Sequence, residues 1–139
     1  TFAGGIRAVL QAAISTTDAD FVVKLIDVWP DNTEYPGYQM LVRGDIMRGR
    51  YRRSFSAPEP FTPGEPTEVA FTMPDIAHTF RKGHRIMVQV QSSWFPLADR
   101  NPQQFVDIYR CAASDFIPCD VRIYHDRRRP SRLEVLRLR

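Results

Sequence analysis

The stretch GIRAVLQAAISTTDADFVVKLIDVW, residues 5–29, decides the fold class. One face of its first segment carries only apolar side chains: Ile6, Ala8, Leu10, Ala12 and Ile14. Arg7 and Gln11 lie on the opposite face, and this period of two residues predicts a half-buried β-strand. STTDAD is typical of a turn. FVVKLIDVW is apolar on both faces except at Lys24 and Asp27, which predicts an interior strand.

The rest of the chain repeats short segments with strand patterns, separated by loops rich in Pro, Gly, Asp and Asn. Five further strands are predicted: YQMLVRGDIM (38–47), TEVAFTM (67–73), RIMVQVQ (85–91), VRIYH (121–125) and SRLEVLRL (131–138). Within RIMVQVQ, the alternation places Ile86, Val88 and Val90 inside. The segment PDIAHTFRKGH, residues 74–84, predicts a turn or one short helix. With no long amphipathic helix, the sequence predicts an all-β fold: an antiparallel β-sandwich of the jelly-roll type, like galactose-binding domains.

Composition and charge are those of an ordinary globular domain. The 139 residues suffice for one domain with one core, and 43% of them are hydrophobic and 25% charged. No apolar run approaches the roughly 20 residues that span a bilayer, so we expect no membrane segment. The tail RRRPSRLEVLRLR, residues 127–139, is strongly basic. Because no aromatic side chains interleave with its arginines, we expect a solvated or docking face and no nucleic acid.

The sequence contains no recognisable catalytic centre. An α/β-hydrolase requires the nucleophile elbow G-x-S-x-G, and no serine in this chain is flanked by glycines in that way. His78, His84 and His125 do not follow the spacing of a metal site, and each is expected to make a local hydrogen bond in a turn or at the surface. We therefore expect no catalytic, metal-binding or cofactor-binding residue, and no activity from this chain alone.

The sequence leaves open the contacts of one carboxylate, Asp27, and of the two cysteines. Asp27 falls within an apolar strand, and a half-buried carboxylate needs a partner, for which Arg43 of the following strand is the candidate. Cys111 and Cys119 lack the additional ligands of a zinc site. In an oxidising compartment they could close a small disulfide loop, and otherwise they remain free thiols.

The segment SSWFPLADRNPQ, residues 92–103 and called the corner below, concentrates residue types that are common at binding sites. Its candidate interface or structural residues are Trp94, Phe95, Asp99, Arg100 and Asn101. Trp94 and Phe95 offer a broad apolar contact. Asp99 and Arg100 can pair or cap the turn, and Asn101 can hydrogen-bond its own backbone. We interpret the segment as a rigid corner that packs against a larger body and takes no part in chemistry.

Several segments together resemble the C-terminal domain of the CocE/NonD hydrolases, closest to the α-amino-acid ester hydrolase and glutaryl-7-aminocephalosporanic acid acylase branch. Cocaine esterase and the X-Pro dipeptidyl-peptidases belong to the same family. The resemblance covers nearly the whole chain, and its most specific part is GHRI followed by SSWFPLADRNPQ. The segments that carry it are TTDADFVVKLIDVWPD (16–31), GYQMLVRGDIMRGRYRRSF (37–55), residues 58–103 and the closing SRLEVLRL.

The resemblance implies a non-catalytic domain. In such proteins the catalytic Ser, Asp and His belong to an α/β-hydrolase domain with a helical cap, and the jelly-roll domain packs against both. Residues 1–139 are then expected to be one β-sandwich domain, a C-terminal fragment of a larger serine hydrolase. The alternative is a free-standing carbohydrate-binding jelly-roll module. The isolated fragment is expected to self-associate through surfaces that its partner domains would cover. The sequence specifies neither the substrate nor the compartment of the parent protein.

Overall fold

The computed structural model describes residues 1–138, whose regular structure consists of seven β-strands and two short 3-10 turns. The strands are β1 (Phe2–Ile14), β2 (Asp20–Val28), β3 (Gln39–Arg48), β4 (Thr67–His78), β5 (Arg85–Gln91), β6 (Val121–Tyr124) and β7 (Arg132–Arg137). The 3-10 turns are Gly49–Tyr51 and Ala113–Asp115. No helix among the described residues is long and apolar enough to cross a membrane.

The strands form two antiparallel sheets. In the first sheet β1 lies between β4 on one side and β7 and β6 on the other, with β7 along its first half and β6 along its second half. In the second sheet β2 lies between β3 and β5. The two central strands are therefore the two strands of the segment 5–29, and the expected all-β sandwich is confirmed.

The core lies between the sheets and follows the predicted alternation. The inner face of β1 is almost fully buried: Ile6, Ala8, Leu10, Ala12 and Ile14. β2 is buried on both faces, since Val22 and Val23 are each 0% exposed although they point to opposite sides of the sheet. The prediction of an interior strand is therefore also confirmed.

The segment 74–84 differs from the expected turn or short helix. β4 continues to His78, and only the residues from Thr79 to His84 form a turn. Pro74 lies within β4 because β4 is an edge strand, where a missing backbone N–H leaves no ladder hydrogen bond unmade. Gly83 closes the turn with a φ of 89°, a conformation that favours glycine.

β5 departs from the prediction that its alternate residues are all inside. Val90 packs against the core, but Ile86 is 53% exposed and Val88 is 47% exposed. Both share the inner face of the sheet with Leu25, so their direction is as expected. They remain open because no described element lies over this end of the edge strand.

Candidate functional site

The corner is fastened to its own domain by Trp94. The indole ring lies over the outer face of the second sheet, where a Cβ added to Gly44 would come within 2.7 Å of Cη2 of the ring. The ammonium group of Lys24 lies 4.5 Å from the ring centroid. Gly44 and Lys24 are opposite each other in the β2–β3 ladder, so the absent side chain at position 44 creates the slot that the ring fills.

The neighbouring apolar side chains point outward. Phe95 is 65% exposed and Leu97 is 72% exposed. The guanidinium carbon of Arg100 lies 5.8 Å from the ring centroid of Phe95 and 5.2 Å from that of Phe116. We call Phe95, Leu97, Arg100 and Phe116 the corner patch. Arg100 makes no ion pair with Asp99 in the described part of the chain, and the carbonyl oxygen of Asp99 instead accepts a hydrogen bond from Arg48.

Asn101 ties the corner to two buried carboxylates. It is 5% exposed. Its Nδ2 donates one hydrogen bond to Oδ2 of Asp18 and one to Oδ1 of Asp20, and each donor–acceptor distance is 2.9 Å. Its Oδ1 accepts a hydrogen bond from the backbone N–H of Gln103 at 2.9 Å. The last contact is the local backbone bond that the sequence predicts. The first two are long-range, and they make Asn101 the link between the corner and the turn that joins β1 to β2.

Two arginines balance the charge of these carboxylates. Nε of Arg50 donates to Oδ2 of Asp18 at 2.8 Å, and Nε of Arg48 lies 3.5 Å from Oδ2 of Asp20. Arg50 is itself 8% exposed, so its pair with Asp18 is shielded from solvent. A buried carboxylate left without such partners would be strongly destabilising. The turn before β2 and the end of β3 therefore form one buried polar network with Asn101.

The same network holds the chain that follows the corner. Nη1 of Arg50 donates to the carbonyl of Val106 at 2.7 Å, and Oγ1 of Thr17 accepts from the N–H of Phe105 at 2.9 Å. Gln103 has a φ of 69°, an uncommon conformation for a residue other than glycine. Its own backbone N–H donates to Oδ1 of Asn101, so hydrogen bonds hold the chain at the end of the corner and in the residues that follow it.

The pKa of Asp20 is raised to about 6, chiefly because burial disfavours the carboxylate. The hydrogen bond from Asn101 and the charge of Arg48 act in the opposite direction, and the charge of Asp18 reinforces the rise. Asp20 is thus a titrating group inside a structural network.

The polar groups around the corner engage one another in hydrogen bonds and ion pairs. Ser92 and Ser93 are exposed at the end of β5, and no hydrogen bond in residues 1–138 joins either hydroxyl to a histidine. The described residues also contain no group of three His, Cys, Asp or Glu suited to a metal ion. The network offers carboxylates paired with arginines, without a nucleophile beside them.

Asp27 has different partners from the one expected. Its Oδ2 lies 2.9 Å from Nε2 of His78, and its Oδ1 lies 2.7 Å from Nδ1 of His84. Arg43 instead donates to the carbonyl of Asp75 at 2.7 Å, so the predicted pairing of Arg43 with Asp27 is wrong. The two histidines, expected to be unconnected turn or surface residues, join the ends of β2 and β4 to the start of β5.

Cys111 and Cys119 are free thiols. Sγ of Cys111 contacts the carbonyl of Ile108 at 3.0 Å, and Sγ of Cys119 accepts from Oγ1 of Thr16 at 3.1 Å. Of the two alternatives left by the sequence, the structure has the unbridged one.

Comparison with known proteins shows which family has this sequence and architecture. The model of the X-Pro dipeptidyl-peptidase C-terminal non-catalytic domain matches residues 1–134. The chain is 43% identical over 98 residues to cocaine esterase from Rhodococcus sp. (strain MB1 Bresler), which is 70% of this chain and 16% of that protein.

Two solved structures are similar over almost the whole chain. An aminopeptidase from the marine sediment archaeon Thaumarchaeota archaeon superposes with a TM-score of 0.94 at 44% identity, covering 97% of this chain and 23% of that one. A selenomethionine-labelled α-amino acid ester hydrolase superposes with a TM-score of 0.93 at 45% identity, covering 96% and 23%. The chain spans less than a quarter of the length of these relatives. The family match and these likenesses confirm the resemblance to the CocE/NonD hydrolases, and the chain belongs to the family of X-Pro dipeptidyl-peptidase C-terminal non-catalytic domains.

Proposed function

We propose that residues 1–139 are the C-terminal domain of a larger serine hydrolase of the acylase, amino-acid ester hydrolase or X-Pro dipeptidyl-peptidase type. In this proposal the domain packs against an α/β-hydrolase catalytic domain and its helical cap, and it shapes the surroundings of the active site. The observation that carries the proposal is the family match over residues 1–134, to a domain described as non-catalytic. The small share of each relative that the chain covers supports it.

The corner patch is the surface that we assign to this packing. Phe95 and Leu97 are large apolar side chains that are mostly exposed, and burying one such side chain contributes about 1.5–3 kcal/mol. The buried network below them fixes the backbone before any partner arrives. Because a preorganised surface loses little conformational entropy on contact, rigidity here favours docking.

A carbohydrate-binding module is the second candidate, and the exposed rings of Tyr35 and Tyr38 beside Trp29 are the feature that suggests it. Their geometry does not favour it. Trp29 meets Tyr35 at an interplanar angle of 64° and Tyr38 at 84°, so these rings pack edge to face. A sugar ring stacks on a flat aromatic face. Because the three rings pack edge to face, they do not form a single flat platform for such stacking.

Oxidative footprinting by hydroxyl radicals tests the proposal. The 139-residue chain and the full-length protein are labelled in parallel, and the modification rates of Phe95 and Leu97 are measured by mass spectrometry. We expect a several-fold lower rate at both residues in the full-length protein. Equal rates in the two proteins would contradict docking through the corner patch.

The same proposal implies that the isolated chain associates with itself, because its docking surface is bare. Light scattering over a range of protein concentrations should show a rising average mass. A constant monomer mass would count against an uncovered docking surface.

A further inference from the structure

A cavity of about 440 Å³ opens at one end of the sandwich, and both sheets contribute to its wall. Asp27 and Met40 are opposite each other in the β2–β3 ladder of the second sheet, whereas His78 ends β4 of the first sheet. The volume lies within the range of about 300–1,000 Å³ that is common for small-molecule sites. We call it the end cavity, and its lining includes Asp27, Trp29, Met40, His78, Arg81 and His84.

Asp27 determines which nitrogen of each imidazole carries a proton. A carboxylate oxygen only accepts, so Nε2 of His78 and Nδ1 of His84 donate to it. The remaining nitrogen of each neutral ring, Nδ1 of His78 and Nε2 of His84, is therefore an acceptor. Neither of these two atoms has a hydrogen-bond partner in residues 1–138, and the side chains of His78 and His84 are 20% and 11% exposed. The wall of the end cavity thus carries two acceptors without a donor.

Arg81 brings an unpaired positive charge to the end cavity. Its carbonyl oxygen accepts from the N–H of His84 at 3.1 Å, but its guanidinium makes no ion pair or hydrogen bond within the described part of the chain. Residues 76–98 contain neither Asp nor Glu. A guanidinium donates hydrogen bonds in a planar fork that matches a carboxylate, so Arg81 favours a ligand with that group.

Trp29 and Met40 give the end cavity an apolar part. The indole ring is braced by neighbouring rings, since its centroid lies 5.5 Å from that of Tyr38 and 5.9 Å from that of His84. Nε1 of Trp29 is buried and has no hydrogen-bond partner among residues 1–138, which leaves one more polar group in this wall unsatisfied. Because the packing already holds the ring in place, a ligand that contacts it pays little conformational entropy.

We propose that the end cavity binds a small hydroxycarboxylate. Its carboxylate pairs with Arg81, its hydroxyl donates to a free imidazole nitrogen, and its apolar part packs against Trp29 and Met40. A cationic ligand is disfavoured, because both oxygens of Asp27 are already engaged by histidines. A ligand without a donor would leave the imidazole acceptors unpaired. Because all these groups belong to the 139-residue chain, the inference does not depend on the proposed docking.

NMR of the imidazole nitrogens in the 139-residue chain, isotopically labelled at its three histidines, tests the inference. At about pH 8, where ordinary imidazoles are neutral, we expect the Nε2–H tautomer for His78 and the Nδ1–H tautomer for His84. An Nε2–H tautomer at His84 would overturn the assignment of its free nitrogen as an acceptor. His125 follows β6 and does not line the end cavity, so it serves as the internal reference.

Mandelate is the main probe, because it combines a carboxylate, a hydroxyl and an apolar ring, and lactate is the smaller one. We expect saturable shifts at His78 and His84 without a shift at His125. Two analogues separate the contributions, since phenylacetate lacks the hydroxyl and mandelamide lacks the charge. Each should bind at least about tenfold more weakly than mandelate. Equal binding of either analogue, or no saturable shift with mandelate or lactate, would overturn the proposal.

A matched pair of variants tests the position of the charge. Arg81 and Lys82 are adjacent, exposed and both positive, but Lys82 does not line the end cavity. Arg81→Gln should weaken mandelate binding at least about tenfold, and Lys82→Gln should change it by less than about threefold. Equal weakening by the two variants would show a general attraction of anions to this turn and would overturn the assigned site.

Discussion

Replacing Asn101 with Ala removes the link between the corner and the buried carboxylates. The side chain donates hydrogen bonds to Asp18 and Asp20 and accepts one from the N–H of Gln103. Each bond to a buried charged group contributes about 1.5–3 kcal/mol. The two bonds to carboxylates therefore set an expected loss of about 3–6 kcal/mol, a large part of the roughly 5–15 kcal/mol by which domains of this size are stable.

Urea unfolding of the 139-residue chain, followed by circular dichroism near pH 7.5, measures this loss. Asn32→Ala is the matched control, because Asn32 is exposed in the loop after β2 and should change the free energy of unfolding by no more than about 0.5 kcal/mol. Thr17→Val is an intermediate case, since it removes only the acceptor for the N–H of Phe105. We expect a loss of about 1–3 kcal/mol from it. An Asn101→Ala variant within about 1 kcal/mol of the wild type would refute the role given to the network.

Three further variants test other parts of the structure. The pKa of Asp20 is about 6 in the folded domain, against an ordinary value of 3.8, so its contribution to stability is full below pH 3.8 and is lost as the pH rises through about 6. The unfolding free energy of the wild type minus that of Asp20→Asn should fall by up to about 3 kcal/mol between pH 4 and 7, and a constant difference would contradict the raised pKa. Gly44→Ala should displace Trp94 and shift its fluorescence to the red, because the added Cβ would lie 2.7 Å from the ring, and unchanged emission would show that the ring is not seated there. Asp27→Ala should lower the free energy of unfolding by about 2–4 kcal/mol, because it leaves His78 and His84 without their shared acceptor, and urea titration would show whether it does.

The strands were predictable because each carries its own period of two. The alternation in residues 6–14 was enough to place the inner face of β1, and the two-sided apolar pattern of 21–29 was enough to make β2 interior. The exposure of Ile86 and Val88 was not predictable in this way. An alternating pattern gives the direction of a side chain, whereas burial also depends on which element lies over it.

The buried network was missed because its members are far apart in sequence. Asp18 and Asn101 are joined only once both the β1–β2 turn and the corner have folded. One signal was available: a hairpin of β2 and β3 places Asp20 opposite Arg48, a pair of opposite charges at its base. For Asp27, the partners His78 and His84 are likewise more than 50 residues away along the chain, whereas Arg43 lies opposite Leu25 in the ladder and donates to the carbonyl of Asp75.

The central claim, a domain that supports a hydrolase without performing its chemistry, is tested most directly by the hydrolytic activity of the purified 139-residue chain. The assay uses p-nitrophenyl acetate and an amino-acid ester, with buffer alone and a Ser92→Ala, Ser93→Ala double variant as references. We expect rates equal to those of the buffer for both the wild type and the variant. Turnover above that background that one serine substitution abolishes would contradict the account.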